Sequence, residues 1–355
     1  MKRRFRWLLL LLLPIDLLIV FVVVISLSDY TPKPMEDIDI SPKHDFMTVV
    51  PDTFSLISWN IGYGGLGQEM DFFYDGGKQV RASKNKTSEW FEKISLWLKE
   101  REQTDFVLLQ EVDFKARRSY RMPQHSLLSE VLSKHHQTRA VNYDVLFVPV
   151  PLRAPMGYVK AGMMTFSLQQ PVVSRRHAYP SISGWPERLF LLDRCFIETR
   201  YNLSNGKELV VLNTHNSAFI SDQQLMLEEL RVIKQIMESE ALAGNAVVAG
   251  GDWNMNPPGF VPAGNYSGHR FVSLPVAIPD DFFGHNWQFV FDPAAPSNRH
   301  LDQPYAKGLT GSTTIDFFIV SDQLEVLETT VNDLNFESSD HNPVTIRLRL
   351  KQSTP

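Results

Sequence analysis

The sequence predicts an α/β protein whose chemistry sits at strand ends, and three observations carry that reading. Short β-prone runs alternate with longer segments of helical periodicity, as in Thr53–Trp59, Ser88–Arg101 and Asp105–Leu109. Strand, helix, strand is the outline of an α/β unit. Several of the β-prone runs stop at an acid, an amide or a histidine. The chain of 355 residues is also long enough, beyond its first fifty, for one large α/β domain or two small ones.

The N-terminus differs from the rest. Lys2, Arg3, Arg4 and Arg6 precede an apolar run from Trp7 to Leu27, interrupted by Pro14 and Asp16. A bilayer span takes ~20 predominantly apolar residues, whereas the apolar core of a signal peptide has only ~7–15. Asp16 costs roughly 3 kcal/mol near the centre, while each surrounding Leu, Ile, Val or Phe returns roughly 0.3–0.6, so insertion is favoured. Residues 1–28 are therefore expected to form a transmembrane anchor at the cell membrane. The basic flank is then cytoplasmic and the remainder extracytoplasmic. The alternative is a cleaved signal peptide, with Ser26 and Ser28 before a cut at Asp29. Residues 29–52 hold Pro32, Pro34, Pro42 and Pro51 among acidic and polar residues, the composition of a tether. Residues 53–355 form the domain.

Within the domain the elements follow in order. Thr53–Trp59 ends at Asn60 and the glycine-rich "NIGYGGLG". Ser88–Arg101 carries Trp90, Phe91, Ile94, Leu96, Trp97 and Leu98, an amphipathic helix pattern. Asp105–Leu109 ends in Gln110 and Glu111. Glu208–Leu212 ends at "NTHN", residues 213 to 216. Asp222–Glu240 spaces Leu225, Leu227, Leu230, Ile233, Ile236 and Met237 along one helix face. Ala246–Ala249 ends at "GGDWN", residues 250 to 254, and Thr314–Val320 places Asp316 among apolar neighbours. Pro343 cannot donate to a ladder, so the run Val344, Ile346, Leu348, Leu350 begins a strand just after Asp340 and His341.

Taken singly, these polar residues are ordinary. An Asn after a strand is a turn residue, and an Asp is a cap. Asp316 is harder to dismiss, because an acid in an apolar run costs several kcal/mol unless paired. Jointly, Asn60, Glu111, His215, Asp252, Asn254, Asp316, Asp340 and His341 can converge on one cleft. Clustered carboxylates and amide oxygens suit a hard cation, Mg²⁺ or Mn²⁺. Such a cation stabilises charge on a phosphoryl oxygen and helps form hydroxide. A histidine paired to a buried acid suits a general base.

Other classes are excluded or disfavoured. Cys195 is the single cysteine, so no intramolecular disulfide forms. Its place in an apolar run marks a buried structural thiol. The net charge of −5 gives no field that attracts nucleic acid, although a local basic strip remains compatible with it.

The series "WN" (59–60), "QE" (110–111), "NTH" (213–215), "GDWN" (251–254), "TIDFFIV" (314–320) and "SDHNPV" (339–344) resembles the endonuclease/exonuclease/phosphatase superfamily. That family includes DNase I-like nucleases, abasic-site endonucleases, inositol polyphosphate 5-phosphatases and bacterial sphingomyelinases. The resemblance implies a four-layer α/β/β/α sandwich of two mixed β-sheets. It also implies a metal-dependent phosphoester hydrolase. On these motifs Asn60, Glu111 and Asp340 correspond to the metal site, with Glu111 the direct ligand. His215 contacts the scissile phosphate, Asp252 positions or deprotonates the attacking water, and Asn254 holds phosphate. Asp316 orients His341, the general base or phosphate-stabilising imidazole.

Two segments depart from the nuclease pattern. Residues 60 to 78, rich in glycine and aromatics, form an insert that serves as a substrate lid or as a rigid loop beside the cleft. Arg117 and Arg118, following Glu111, are a phosphate clamp or plain surface. The expected protein is a membrane-anchored, exported, Mg²⁺-dependent hydrolase of a phosphoester. A nuclease and a sphingomyelinase-like phospholipase are the alternatives within the class, and a non-catalytic binding domain is the alternative outside it.

Overall fold

The computed structural model describes residues 2–41, 47–180, 183–218, 223–261 and 275–351; the side chains of the first twelve residues and of 223 and 225 lie outside the description. Two large mixed sheets stack face to face. The first runs β14(Leu324–Val331)–β15(Val344–Leu350)–β2(Thr53–Asn60)–β3(Phe106–Ala116)–β5(Gly157–Ser167)–β4(His136–Val148). The second runs β1(Met35–Asp37)–β6(Val173–Ala178)–β7(Cys195–Asn202)–β8(Glu208–His215)–β9(Ala246–Asp252)–β13(Asp316–Ser321)–β10(Trp287–Val290). Only β2–β3 and β8–β9 pair in parallel among these neighbours. A short ribbon joins β11(Asn298–Arg299) to β12(Ser312–Thr313).

The layers follow from which face each apolar set must bury. Leu56, Phe106, Leu108 and Ile346 point inward from the first sheet and meet Leu209, Val211, Val248 and Phe318 from the second. The outer face of the first sheet, with Ile57, Trp59 and Val107, is covered by Phe91, Ile94 and Leu98 of α2(Lys84–Lys99) and by Leu128 of α3(Gln124–Val131). Ser83 caps α2 by accepting from the Lys86 backbone N–H at 3.3 Å. The outer face of the second sheet, with Val210, Leu212 and Phe317, lies under Leu230, Ile233 and Met237 of α4(Gln223–Leu242). The four-layer architecture is thus present. Cys195 opens β7, is fully buried, and has its thiol pushed up to about 11 by burial. It is structural.

The N-terminal segment differs from its expectation in two respects. α1(Lys2–Leu27) is continuous through Pro14, yet among the described residues no helix is long and apolar enough to cross a membrane. The basic flank and the first part of the apolar run have their side chains outside the described residues. Residues 29–41 and 47–52 also do more than link. β1 adds an edge strand to β6, and the Val50 backbone N–H donates to the Asn202 carbonyl at 3.0 Å while its side chain enters the core.

Candidate active site

The strand ends that carry the polar residues all lie at one pole, because the registers align them. In the second sheet His215 is opposite Asp252 across β8–β9, and Asp252 is opposite Asp316 across β9–β13. Three neighbouring strands therefore present His215, Asp252 and Asp316 in a lateral row. Gly251 makes the row possible: its φ is 151°, and a Cβ there would lie 2.0 Å from the Thr214 carbonyl oxygen.

The first sheet supplies the other side. Asn60 ends β2, and its Nδ2 donates to Asp252 Oδ2 at 2.9 Å, joining the two sheets. Glu111 lies inside β3 at φ 54°, where the pairing with β5 skips between Leu109 and Val112. Such a bulge re-aims a side chain at the cost of local strain. Glu111 Oε1 consequently reaches 3.8 Å from His215 Nε2. The 338–342 loop folds over this edge: Trp59 Nε1 donates to the His341 carbonyl at 2.9 Å, and Ser339 Oγ donates to the Asn60 carbonyl at 2.8 Å.

His341 is held on both ring nitrogens. Nδ1 lies 2.7 Å from Asp316 Oδ2, which also accepts from Ser297 Oγ at 2.8 Å. Nε2 lies 3.0 Å from the Asn298 amide nitrogen and 3.8 Å from Asp252 Oδ2. The Asn298 amide can turn nitrogen or oxygen to the ring, so it serves either protonation state. Burial alone would lower the His341 pKa, but the carboxylates of Asp316, Asp340 and Asp252 outweigh it and hold it well above its ordinary value. His215 is its opposite: burial, with the charges of Arg194, His341 and Arg118, drives its pKa well below the ordinary value. Its Nε2 lies 3.5 Å from Asp252 Oδ2. Burial pushes Asp252 up to about 6, against the attraction of His341.

Asp340 is buried beside Gly62, where a Cβ would come within 2.8 Å of Asp340 Oδ1. Burial raises its pKa to about 6; His341 opposes the rise and the Glu111 carboxylate adds to it. Glu111 and Asp340 thus bring two repelling carboxylates together, and Asn60 Oδ1, which accepts from the Gly62 N–H at 3.0 Å, keeps a lone pair. This donor set of hard oxygens fits Mg²⁺ or Mn²⁺. Asp252, Asp316 and His341 also have ligand atoms within 4.8 Å of one another. Because His341 Nδ1 and Asp316 Oδ2 already engage each other, this trio reads better as an acid–imidazole unit than as a ligand set.

Asn254, at φ 51°, donates its backbone N–H to Asp252 Oδ1 at 3.0 Å and its side-chain nitrogen to the Asn216 carbonyl at 2.8 Å. All eight residues expected at the site are therefore at one pole. Arg118 is not a free clamp. Arg118 is buried, pairs with Asp113 at 2.9 Å and stacks over the Tyr63 ring at 3.8 Å, while Arg117 is exposed. The glycine-rich insert is a wall, not a lid. Ile61, Tyr63, Leu66 and Met70 are buried, and Arg299 Nη2 donates to the carbonyls of Gly67 at 2.8 Å and Met70 at 3.1 Å.

Ser297 and Asn298 carry no mark in the sequence, and Ser339 stands in the SDHNPV motif with no role attached to it. Small polar residues in loops are common, and no spacing marks these. The nearest signal is their adjacency to β11 and to the 340–341 pair, since residues 297–299 zip onto 340–342 through Arg299 N–H to Asp340 carbonyl at 3.0 Å and Asn342 N–H to Ser297 carbonyl at 2.7 Å.

Comparison with known proteins agrees with this layout. A UPF0294 protein of Vibrio cholerae serotype O1 (strain ATCC 39315 / El Tor Inaba N16961) is 28% identical over 195 residues, covering 54% of this chain and 55% of its own length. The chain thus aligns with only about half the length of the curated relatives it matches. An endonuclease/exonuclease/phosphatase from Beutenbergia cavernae superposes with a TM-score of 0.56 at 18% identity, over 84% of this chain and 72% of that one. The human Nocturnin catalytic domain with bound sulfate superposes with a TM-score of 0.54 at 16% identity, over 88% of this chain and 98% of that one. These similarities concern the fold. The model of the Endonuclease/Exonuclease/phosphatase family matches residues 57–341, which span every strand end described above, and the chain belongs to that family.

Proposed function

We propose that the chain is a divalent-metal-dependent hydrolase of phosphoester bonds, anchored in the cell membrane by α1 with its domain on the extracytoplasmic side. The observation that carries the enzymatic reading is the Asp316–His341–Asn298 chain of contacts facing Asp252 and His215 across the joined strand ends. His341, cationic and held by Asp316, donates from Nε2 to a phosphoryl oxygen. His215, neutral, adds a second donor without a second charge. Asp252 accepts the proton of the attacking water, and its raised pKa makes it a better base than an ordinary carboxylate. Glu111, Asp340 and Asn60 would hold Mg²⁺ or Mn²⁺, which when bound supplies charge stabilisation at phosphorus. The complete set of acid, amide and imidazole groups weighs against a non-catalytic binding domain.

The test is hydrolysis of bis(p-nitrophenyl) phosphate and p-nitrophenyl phosphate by the purified full chain in detergent, with Mg²⁺, Mn²⁺ or chelator. Metal-dependent turnover abolished by His341→Ala is expected. No turnover of any phosphoester with any of these metals would leave the binding-domain reading standing. The anchor is tested separately, by adding protease outside intact cells: digestion of the domain is expected, and its full protection in a soluble cytoplasmic fraction would remove the anchor.

A further inference from the structure

The end of α1 is packed into an apolar corner of the domain. Phe21 meets Phe147 of β4 edge-on at 6.1 Å between ring centroids, and Ile25 is buried. Trp185 Nε1 donates to Ser26 Oγ at 3.3 Å, and Arg188 pairs with Asp29 at 3.3 Å. Tyr143 ties the turn at Glu187–Phe190 back to β4 by donating to the Phe190 carbonyl at 3.1 Å. Yet the same segments leave large apolar side chains in the open: Leu146 is 46% exposed, Leu152 86%, Trp185 62% and Leu191 38%.

The depth of α1 says what covers them. Trp7 to Leu27 is 21 residues, about 32 Å of helix at ~1.5 Å per residue, against a hydrocarbon core of ~30 Å. When that run fills the core, Phe21 and Ile25 lie within the outer leaflet, and whatever touches them lies at the same level. What touches them is aromatic and aliphatic. Tryptophan and isolated apolar side chains at that level are what a membrane interface favours.

A cleft of about 200 Å³ begins at the same corner. Asp29 and Tyr30, just past α1, line it together with Arg188, Tyr179, Arg194 and Ser217. Ser217 lines its inner end, and the neighbouring Asn216 carbonyl accepts from Asn254 at 2.8 Å, so that end of the cleft lies beside the candidate site. Arg194 Nη1 is buried in it without a hydrogen-bond partner among the described residues, a donor suited to a phosphate oxygen.

We propose that Leu146, Leu152, Trp185 and Leu191 seat the domain on the bilayer that holds α1, so that this cleft opens at the headgroup layer and takes a lipid-borne phosphoester as substrate. The inference rests on the anchor and the phosphoesterase activity proposed above.

Full-length protein reconstituted into phosphatidylethanolamine–phosphatidylglycerol vesicles tests it in two ways. Native Cys195 is fully buried, so a fluorophore can be placed selectively after Leu152→Cys, and, as a control at the pole opposite the active site, after Leu242→Cys. Nitroxide-bearing lipid should quench the label at 152 several-fold more than that at 242. Equal quenching overturns the docking. In the second arm, the double variant Leu152→Glu/Trp185→Glu should hydrolyse bis(p-nitrophenyl) phosphate as the parent does, while its release of headgroup from vesicle lipid drops at least ~10-fold. A parent that cleaves the soluble diester but no vesicle lipid, or a variant that cleaves vesicle lipid equally well, overturns the lipid substrate. A parent inactive on both bis(p-nitrophenyl) phosphate and p-nitrophenyl phosphate would instead sink the phosphoesterase reading, leaving the quenching pair to decide docking. Failure of the chain to float with vesicles would remove the anchor and the docking with it.

Discussion

Two histidine–carboxylate pairs with nearly the same N–O distance lie in this domain, and their surroundings differ. His177 Nε2 sits 2.6 Å from Glu198 Oε2; His341 Nδ1 sits 2.7 Å from Asp316 Oδ2. Around Glu198 the charge is balanced. Arg200 donates to it at 2.6 Å and reaches Glu208 at 2.9 Å and Glu240, while Arg175 stands 3.8 Å away. His177 stacks flat on Phe196 with centroids 4.7 Å apart. Around His341 the nearby charge is acidic: Asp252 at 3.8 Å and Asp340 at 3.9 Å. An acid–imidazole pair saturated by arginine is a brace. The same pair among several carboxylates, at converging strand ends, is a setting suited to a cation.

The comparison breaks most sharply by mutation of both histidines. His341→Ala should lower turnover at least ~10²-fold, the scale of a lost acid–base group, measured on the protein that remains folded, since the buried Asp316 also loses a donor. Asp316→Asn should be damaging too, and the double variant little worse than His341→Ala alone, because residues acting as a unit are non-additive. His177→Ala should leave turnover within about two-fold of the parent, since among the described residues its side-chain contacts are to Glu198 and Phe196. Multiplicative losses in the double variant, or a large turnover loss at His177, would erase the distinction.

Metal dependence sharpens it next. Glu111→Gln removes one charge from the oxygen site, so turnover at low Mg²⁺ should fall about ten-fold and recover in part at high Mg²⁺. A titration of activity against metal measures the shift, and the same titration on His177→Ala should superpose on the parent. A Glu111→Gln curve that also superposes would detach Glu111 from the metal.

Smaller effects are expected at the brace. His177→Ala should cost about 1–3 kcal/mol in urea unfolding, because it leaves a buried carboxylate short of one donor. The pH dependence is subtler. Burial alone would raise the Glu198 pKa, but the hydrogen bonds from His177 and Arg200 outweigh it and hold it below the ordinary carboxylate range. A depressed folded-state pKa adds stability that is complete above the unfolded value of ~4.3 and is lost as pH falls through the folded value. Glu198→Gln should therefore flatten the fall in urea midpoint below about pH 4.3, leaving a difference from the parent that shrinks as pH drops. A difference that grows on acidification would contradict the sign.

Legibility varied along the chain for physical reasons. β2, β8, β9 and β15 start where the apolar runs start, because buried strands flanked by turn residues leave a local mark. β9 outruns its apolar segment, which stops at Ala249: Gly250 and Gly251 have the composition of a turn, yet they continue the strand past Phe318 and Thr214 with no room for a Cβ. β4 and β5 carried no assignment, although they are 13 and 11 residues long. β4 mixes Gln137, Arg139, Asn142 and Asp144 into its run, and only the neighbouring strand explains which face is wet. Arg118 illustrates the reverse error, a charged loop residue that proves buried because Asp113 and Tyr63 compensate it.

By itself the sequence determined the alternation of strands and helices, the buried solitary thiol, and the eight polar residues at strand ends. Each depends on composition or short-range period, which local sterics and hydrophobic burial encode within a few residues. Only the tertiary structure decided that His341, and not His177, faces Asp252 and Asp340 as well as its partner acid, that Ser297 and Asn298 join it, and that Glu111 leaves its ladder to meet His215. Those outcomes depend on register between strands far apart in the chain, as where Trp59 bonds the His341 carbonyl across 282 positions. Nothing in the periodicity of either segment specifies that contact; it follows from closing the two sheets on a common core.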